Sequence, residues 1–303
     1  MIIGSFGLLQ LCFGLIGIDL LVAQWWIEGR LPRLNGFSYE PSYYATYLLL
    51  GFSLSYYLYR KKFTIYKNIP LYTALITAIA IFLSSSRMGI VVAFLQVICF
   101  ELVIERKSIK QLSLFLTITI LVVSFLLIIL ITNENLSFLL SGLGVMGGSA
   151  HSSLERLDGF LTQITIFSRN PLKGYSLGGV SQAIAFEKGV TILSQETIKP
   201  YDVSINIFVE VLTASGIIGF IFFLRYIYCL LINTIKKAKT YNKFDINSLL
   251  LNGFVWSLLF EFIILCFNQN ILRAYLWVHI ALLNGIFYQI KSISLNEKDY
   301  NSG

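Results

Sequence analysis

The 303-residue chain is 56% hydrophobic and only 13% charged, with a mean hydropathy of +0.74; soluble domains run at about 25% charged, so a soluble globular protein is excluded. The formal net charge of +7 is not read as a nucleic-acid footprint, because Lys and Arg in a membrane protein gather in the cytoplasmic loops. The four cysteines, Cys12, Cys99, Cys229 and Cys266, lie inside apolar runs without metal or CxxC spacing, so they read as small packing residues.

In chain order the apolar runs predict about eight membrane spans: Ile2–Trp25, Ser42–Tyr59, Leu71–Ser85, Gly89–Ile104, Gln111–Thr132, Ile205–Asn233, Ser248–Phe267 and Leu272–Ile290. The first has no basic segment before it and no small-residue cleavage site, so it reads as a span and not as a signal peptide. The third and fourth are near the lower limit of about 17 residues for a perpendicular span, and could form one broken hairpin around Ser84–Gly89. Basic clusters follow the second span (Arg60, Lys61, Lys62, Lys67), the fourth (Arg106, Lys107, Lys110), the sixth (Lys236, Lys237, Lys239, Lys243) and the eighth (Lys291, Lys298). All fall on one side of an eight-span arrangement, which makes that side cytoplasmic and places both termini on it. The expected fold is an all-α polytopic transmembrane bundle, a single integral membrane domain over residues 1–303.

The opposite face holds Ile27–Pro41, the Ser84–Gly89 turn, a long segment over residues 133–204 and a last turn around Asn268–Arg273. The long segment carries its own helix. Ser152 and Glu155 have capping-box spacing, Leu154, Leu157, Leu161 and Ile164 recur at helical spacing, and Asn170-Pro171 ends the run. No 20–50-residue repeat or low-complexity tract is present.

Six arginines on this outer face, Arg30, Arg33, Arg87, Arg156, Arg169 and Arg273, run against the positive-inside tendency. Any one alone is explained by interfacial snorkelling. Together they favour an anion site, since a guanidinium grips phosphate through a planar fork and keeps its proton; a lipid diphosphate is the obvious anion at that depth. Arg87 stands among Ser84, Ser85, Ser86 and Gly89, whose small side chains let a head group approach the backbone. Asn206 and Glu210 share a helix face, continued by Thr213, and an ionisable residue in a membrane helix is a functional candidate or one half of a buried pair. Asp19 and Glu261 read as partners for other helices, Glu101 and Arg225 as structural. His151 is a loop histidine able to accept a proton, and His279 a structural hydrogen bonder. No cluster has metal-ligand spacing, and no phosphate loop or dinucleotide fingerprint is present.

Several of these stretches together resemble the O-antigen polymerase and O-antigen ligase family of bacterial membrane glycosyltransferases. Arg33 through Ser42, with Gly36-Phe37 and Glu40-Pro41-Ser42, resembles the family's Arg…Gly-Phe…Glu-Pro-Ser stretch. Ser84–Gly89 resembles its Ser-Arg-x-Gly turn, and Arg156 followed by Asn170-Pro171-Leu172-Lys173-Gly174-Tyr175-Ser176-Leu177-Gly178 its outer-loop region. Ser204-Ile205-Asn206 through Glu210, with Gly216-Ile217-Ile218-Gly219, resembles the element that re-enters the membrane. The likeness covers about residues 30–285. It implies a metal-independent, cofactor-free transferase whose donor is a polyprenyl-diphosphate-linked glycan, with Arg87 and Arg156 matching the arginines thought to hold the diphosphate. Ile205 stands where ligases carry a histidine, which favours a polymerase and leaves the general base unassigned. The family commonly has ten or more spans, so the chain is expected to be a compact variant or to lack an N-terminal portion.

The expected function is the joining of polyprenyl-diphosphate-linked oligosaccharide repeats at the extracytoplasmic face of the bacterial inner membrane, for O-antigen, capsule or exopolysaccharide. Arg87, Arg156, Glu40, Asn206 and Glu210 are the catalytic candidates, and Arg33, Lys173, Arg169, Tyr201, Asp202 and Arg273 the substrate-binding ones. Glu40, Asp202, Glu210 and His151 compete for the role of base. Expected partners are the lipid-linked substrate, membrane lipids, and flippase and chain-length regulator proteins, with no nucleic acid. The alternatives are ligase-type transfer to another acceptor, a lipid-linked sugar flippase, and a non-catalytic scaffold. A transporter would tend to show internal repeats and helices broken at the midplane, whereas all five prolines here (Pro32, Pro41, Pro70, Pro171, Pro200) sit in loops or at span edges.

Overall fold

The computed structural model describes residues 1–27, 29, 31–63, 68–105, 149–190, 206–242, 245–268 and 271–301. The fifth expected span, Gln111–Thr132, and the residues Arg30, Tyr201 and Asp202 lie outside these. The chain divides into two compact units, Met1–Tyr57 with Asn68–Ser153, and Leu58–Lys67 with Leu154–Gly303.

Three helices of the described residues are long and apolar enough to cross a bilayer: Arg87–Ile104, Ile207–Ala238 and Ile246–Phe267. Ile2–Leu15, Ile69–Leu83 and Ala274–Ile290 are shorter apolar helices. Lipid tails are as apolar as leucine, so burial of apolar surface does not drive these helices together; close packing and internal hydrogen bonds do.

The first unit shows both devices. Helix α1 (Ile2–Leu15) buries Gly4, Gly7, Gln10 and Gly14, a stripe of small and polar residues along one face. Helix α3 (Ile69–Leu83) and the tyrosine-rich α2 (Pro41–Arg60) close on it. A Cβ on Gly7 would stand 2.1 Å from the Tyr44 hydroxyl, and one on Gly4 2.9 Å from Ile76. The Tyr44 hydroxyl donates to Ile3 O at 3.0 Å. Helix α4 (Arg87–Cys99) runs on through a π turn, Phe100–Ile104. It meets α2 through Phe100 against Tyr56 and Tyr57 and through Ser53, whose hydroxyl donates to Gln96 Oε1. Glu101, expected to be structural, accepts from the Tyr56 hydroxyl at 2.9 Å.

The first apolar run behaves differently from its hydropathy. It was expected to span Ile2–Trp25, but α1 stops at Leu15, about 21 Å long at 1.5 Å per residue and short of the ~30 Å hydrocarbon core. The cause is local. Gly17 adopts φ +79°, its N–H reaches Gly14 O at 3.0 Å, and the Ile18 N–H reaches Phe13 O at 2.9 Å, the two bonds of a Schellman cap. Asp19, expected to partner another helix, instead accepts from Val22 N at 2.9 Å in the following turn among the described residues. A two-stranded antiparallel ribbon follows, β1 (Trp25–Ile27) against β2 (Leu31–Pro32).

The second unit takes up α5 (Ser149–Arg169) from Leu154 onward, followed by α6 (Val180–Glu187), α7 (Ile207–Ala238), α8 (Ile246–Asn268) and α9 (Ala274–Asn301). Helix α5 begins three residues before the expected cap at Ser152. The core is the seam of α7, α8 and α9, where Ile207, Val211, Leu258, Leu265, Ile280 and Leu283 are buried. A smaller cluster of Ile166, Val180, Ile184 and Ala214 seats α5 and α6 on α7. Inside the seam, His279 Nδ1 of α9 lies 2.6 Å from Glu261 Oε2 of α8, both side chains almost fully buried.

Candidate functional site

Two constellations gather the expected site residues, one in each unit. The first is built on the Ser84–Ser86 turn between α3 and α4. Ser85 takes a left-handed backbone, φ +50°, which turns the chain within three residues. Ser84 Oγ donates to Ile81 O at 2.6 Å and accepts from Ser86 N at 3.3 Å. Ser86 caps α4 by accepting from Gly89 N at 3.3 Å. Gly89 is required by close approach, since a Cβ there would lie 2.8 Å from that of Ala45.

Arg33 locks onto this turn. Its Nε donates to Ser85 Oγ at 2.7 Å, its Nη2 to Ser84 O at 3.4 Å and its Nη1 to Gln24 Oε1 at 2.5 Å, while the adjoining Leu34 N–H reaches Leu83 O at 3.3 Å. Burial pushes the half-buried Arg33 guanidinium below its usual range; Glu40 opposes that shift and Arg87 reinforces it. The guanidinium nonetheless keeps its proton at any physiological pH. Arg33, Glu40 and Arg87 are therefore one electrostatic group: two cations, of which Arg87 is exposed at the first turn of α4, and one carboxylate, whose Oε1 accepts from the Ser42 hydroxyl. Like charges at the positive end of a helix dipole form a place where a bound anion relieves repulsion.

Two buried amides, not anticipated from the motifs, hold this loop in place. Gln10 Oε1 accepts from Gly36 N at 2.8 Å and Asn35 N at 3.3 Å, and its Nε2 donates to Leu20 O, Leu21 O and Gly36 O. Asn35 donates to Leu21 O at 2.9 Å and accepts from Ala23 N at 3.1 Å. Both are almost fully buried. The available signal was a lone glutamine on the glycine stripe of α1.

In the second unit, Asn206 caps α7: its Oδ1 accepts from Phe208 N at 2.9 Å and Val209 N at 3.2 Å, and its Nδ2 donates to Cys266 O at 3.2 Å. Glu210, only 6% exposed, accepts from Ile271 N at 2.8 Å, so its carboxylate holds the turn that carries Arg273 between α8 and α9. Arg156 lies within α5, and Lys173 is exposed on the turn after it. Arg169 forks onto Glu187, at 2.6 and 2.8 Å.

The loop Asn170–Gly179 docks on a break in α7. Gly216 takes φ +64°, ψ −175° inside the helix, a region essentially reserved for glycine. In an unbroken helix Thr213 O would bond Ile217 N. Here Thr213 O accepts from Tyr175 N at 3.0 Å, Ala214 O accepts from Ser176 N at 2.7 Å, and Ile217 N donates to Pro171 O at 2.8 Å. Every backbone group freed at membrane depth must find a partner, and this loop supplies three. Gly174, at φ +70°, is its counterpart; a Cβ there would lie 2.5 Å from Ala214 O.

A family model described as O-antigen ligase matches residues 72–224, half of the chain. The match runs from α3 through the serine turn, α5, the docked loop and the break in α7. No curated protein and no solved structure matches. The apolar helices and this match agree on a membrane protein of the glycosyltransferase-like kind, and the chain belongs to the O-antigen ligase family.

Proposed function

We propose that the protein is a polysaccharide polymerase that joins polyprenyl-diphosphate-linked oligosaccharide repeats at the extracytoplasmic face of the bacterial inner membrane, with both termini cytoplasmic and a flippase and chain-length regulator as working partners. The observation that carries the reading is Arg33 hydrogen-bonded to Ser85 on the serine turn from which α4 opens with the exposed Arg87. That group offers fixed positive charge to a leaving diphosphate, and preorganised charge of this kind supplies a large share of a barrier reduction. Ile205, where ligases carry a histidine, favours polymerase over ligase.

In this mechanism an acceptor hydroxyl oxygen attacks the anomeric carbon of the donor. The bond from that carbon to the diphosphate oxygen breaks, and the diphosphate leaves with the electron pair. Arg33 and Arg87 stabilise the charge on it; Arg156 has the same role by its match to the family. Glu40 takes the hydroxyl proton. It is favoured over Glu210, which is buried and committed to the Ile271 backbone. Asn206 and Glu210 shape the start of α7, and Lys173 and Arg273 supply further positive charge to the substrate.

The test sizes lipid-linked glycans from a strain lacking the protein, with wild type or Arg87→Ala supplied in trans. Arg87→Ala should leave single repeat units on lipid and cut polymer by about 10²–10³-fold, as for loss of a charge-stabilising donor, at matched protein level in the membrane. Normal polymer from that variant removes Arg87 from the site. Long polymer that stays on lipid without the protein indicates a ligase, and an unchanged profile rejects the transferase reading.

A further inference from the structure

The α5–α6 region contains a cleft of about 380 Å³, within the ~300–1,000 Å³ range of small-molecule sites. Its walls include Arg169, Tyr175, Gln182, Phe186 and Glu187. We infer that this cleft is a saccharide subsite that holds an uncharged part of the glycan, separate from the residues that meet the diphosphate. The inference rests on the transferase reading above.

Three features carry it. The first is rigidity. The Tyr175–Ser176 backbone is hydrogen-bonded to Thr213 and Ala214 of α7, and Tyr175 and Ala183 pack on the buried cluster of Ile166, Val180, Ile184 and Ala214. The wall is therefore set before any ligand arrives, which lowers the ordering cost of binding.

The second feature is the pairing of aromatic and planar polar groups. Phe186 is 66% exposed on the same cleft as Tyr175. A pyranose ring has an apolar C–H face that stacks on an aromatic ring, and a rim of hydroxyls that matches amide, carboxylate and guanidinium groups. Gln182 adds two donors and an acceptor to that rim.

The third feature is charge. Arg169 and Glu187 neutralise one another through a two-bonded fork, which uses two of the five guanidinium donors and leaves the others for hydroxyls. A diphosphate would have to compete with the Glu187 carboxylate. An uncharged saccharide meets no such cost and can use both members of the pair.

The experiment uses the full chain in lipid nanodiscs. The probe is the free oligosaccharide released by mild acid from the host's own lipid-linked pool, and binding is followed by saturation-transfer NMR. Wild type should bind it. Phe186→Ala and Gln182→Ala should each weaken binding, roughly 5- to 10-fold for the aromatic, with an unchanged gel-filtration profile. Inorganic pyrophosphate should not compete for the cleft. Equal binding by both variants, no binding by wild type, or full displacement by pyrophosphate overturns the proposal. Binding needs no turnover, so a negative result here leaves the lipid-linked glycan profile of the deletion strain standing as its own test, and an unchanged profile in that strain leaves the binding result standing.

Discussion

Gly216→Ala should unfasten the loop that carries Asn170-Pro171-Leu172-Lys173-Gly174. The native backbone at Gly216, φ +64° and ψ −175°, costs a residue with a side chain roughly 1–3 kcal/mol. The added Cβ would also stand 2.2 Å from Leu172 O and 2.7 Å from Lys173 N. Relief requires the loop to move away, which breaks the hydrogen bonds at Thr213 O, Ala214 O and Ile217 N. Each buried polar group left without a partner costs about 1–3 kcal/mol more. The expected loss is therefore at least ~3 kcal/mol, read as a lower unfolding midpoint in detergent. Because Lys173 is exposed on this loop, faster trypsin cleavage after it should accompany the drop. Gly174→Ala should behave alike, and the double variant should cost less than the sum, because both undo one docking. Gly178→Ala, where the new methyl meets open space, should stay within about 0.5 kcal/mol. Wild-type stability and cleavage in Gly216→Ala would show that the break does not depend on glycine.

The second large effect is expected at the intramembrane pair of α8 and α9. His279 Nδ1 and Glu261 Oε2 stand 2.6 Å apart, and His279 Nε2 lies 3.3 Å from Phe254 O. His279→Leu removes the one partner that the Glu261 carboxyl has among the described residues and leaves its oxygens in the apolar seam. A hydrogen bond in a membrane bundle is worth about 1–2 kcal/mol at most, and breaking a buried ion pair costs about 3–5 kcal/mol. The single variant should fall between these figures, because Glu261 is only 1% exposed and loses the ring that its carboxyl is hydrogen-bonded to. Glu261→Met together with His279→Leu should recover most of the loss, since well-packed apolar replacements of a buried pair are often neutral. A double variant as unstable as the single one would mean that the two side chains are not held by each other. The readout is the unfolding midpoint of the purified protein on titration with a denaturing detergent.

Much of the architecture was legible in the amino-acid order. Hydropathy alone marks a membrane protein, and it locates α2, α3, α4, α7 and α8 to within a few residues; it finds the start of α9, which runs on past the expected end at Ile290 to Asn301. The stretches Arg33–Ser42, Ser84–Gly89, Asn170–Gly178 and Asn206–Gly219 carry the family resemblance, and the family match covers all but the first. The shortness of α1 was also locally encoded, in Gly17, but an average over apolar residues is blind to one left-handed glycine.

Partner choice was not legible. Gln10 reaches Asn35 and Gly36, Arg33 reaches Ser85, Tyr175 reaches Thr213, and Glu210 reaches Ile271. These pairs are distant along the chain, and no local pattern names the second member. Glu210 illustrates the point: by sequence it is an ionisable residue on a membrane helix face, and only the packed structure shows its carboxylate spent on a turn of another helix pair. Gly216 is the converse case, a residue whose motif is visible but whose purpose is not. In lipid every freed backbone group must be matched by protein, so a break in one helix is stable only where another segment supplies the missing donors and acceptors. That requirement ties Gly216 to Pro171, Tyr175 and Ser176, and it is met by geometry that composition and spacing do not contain.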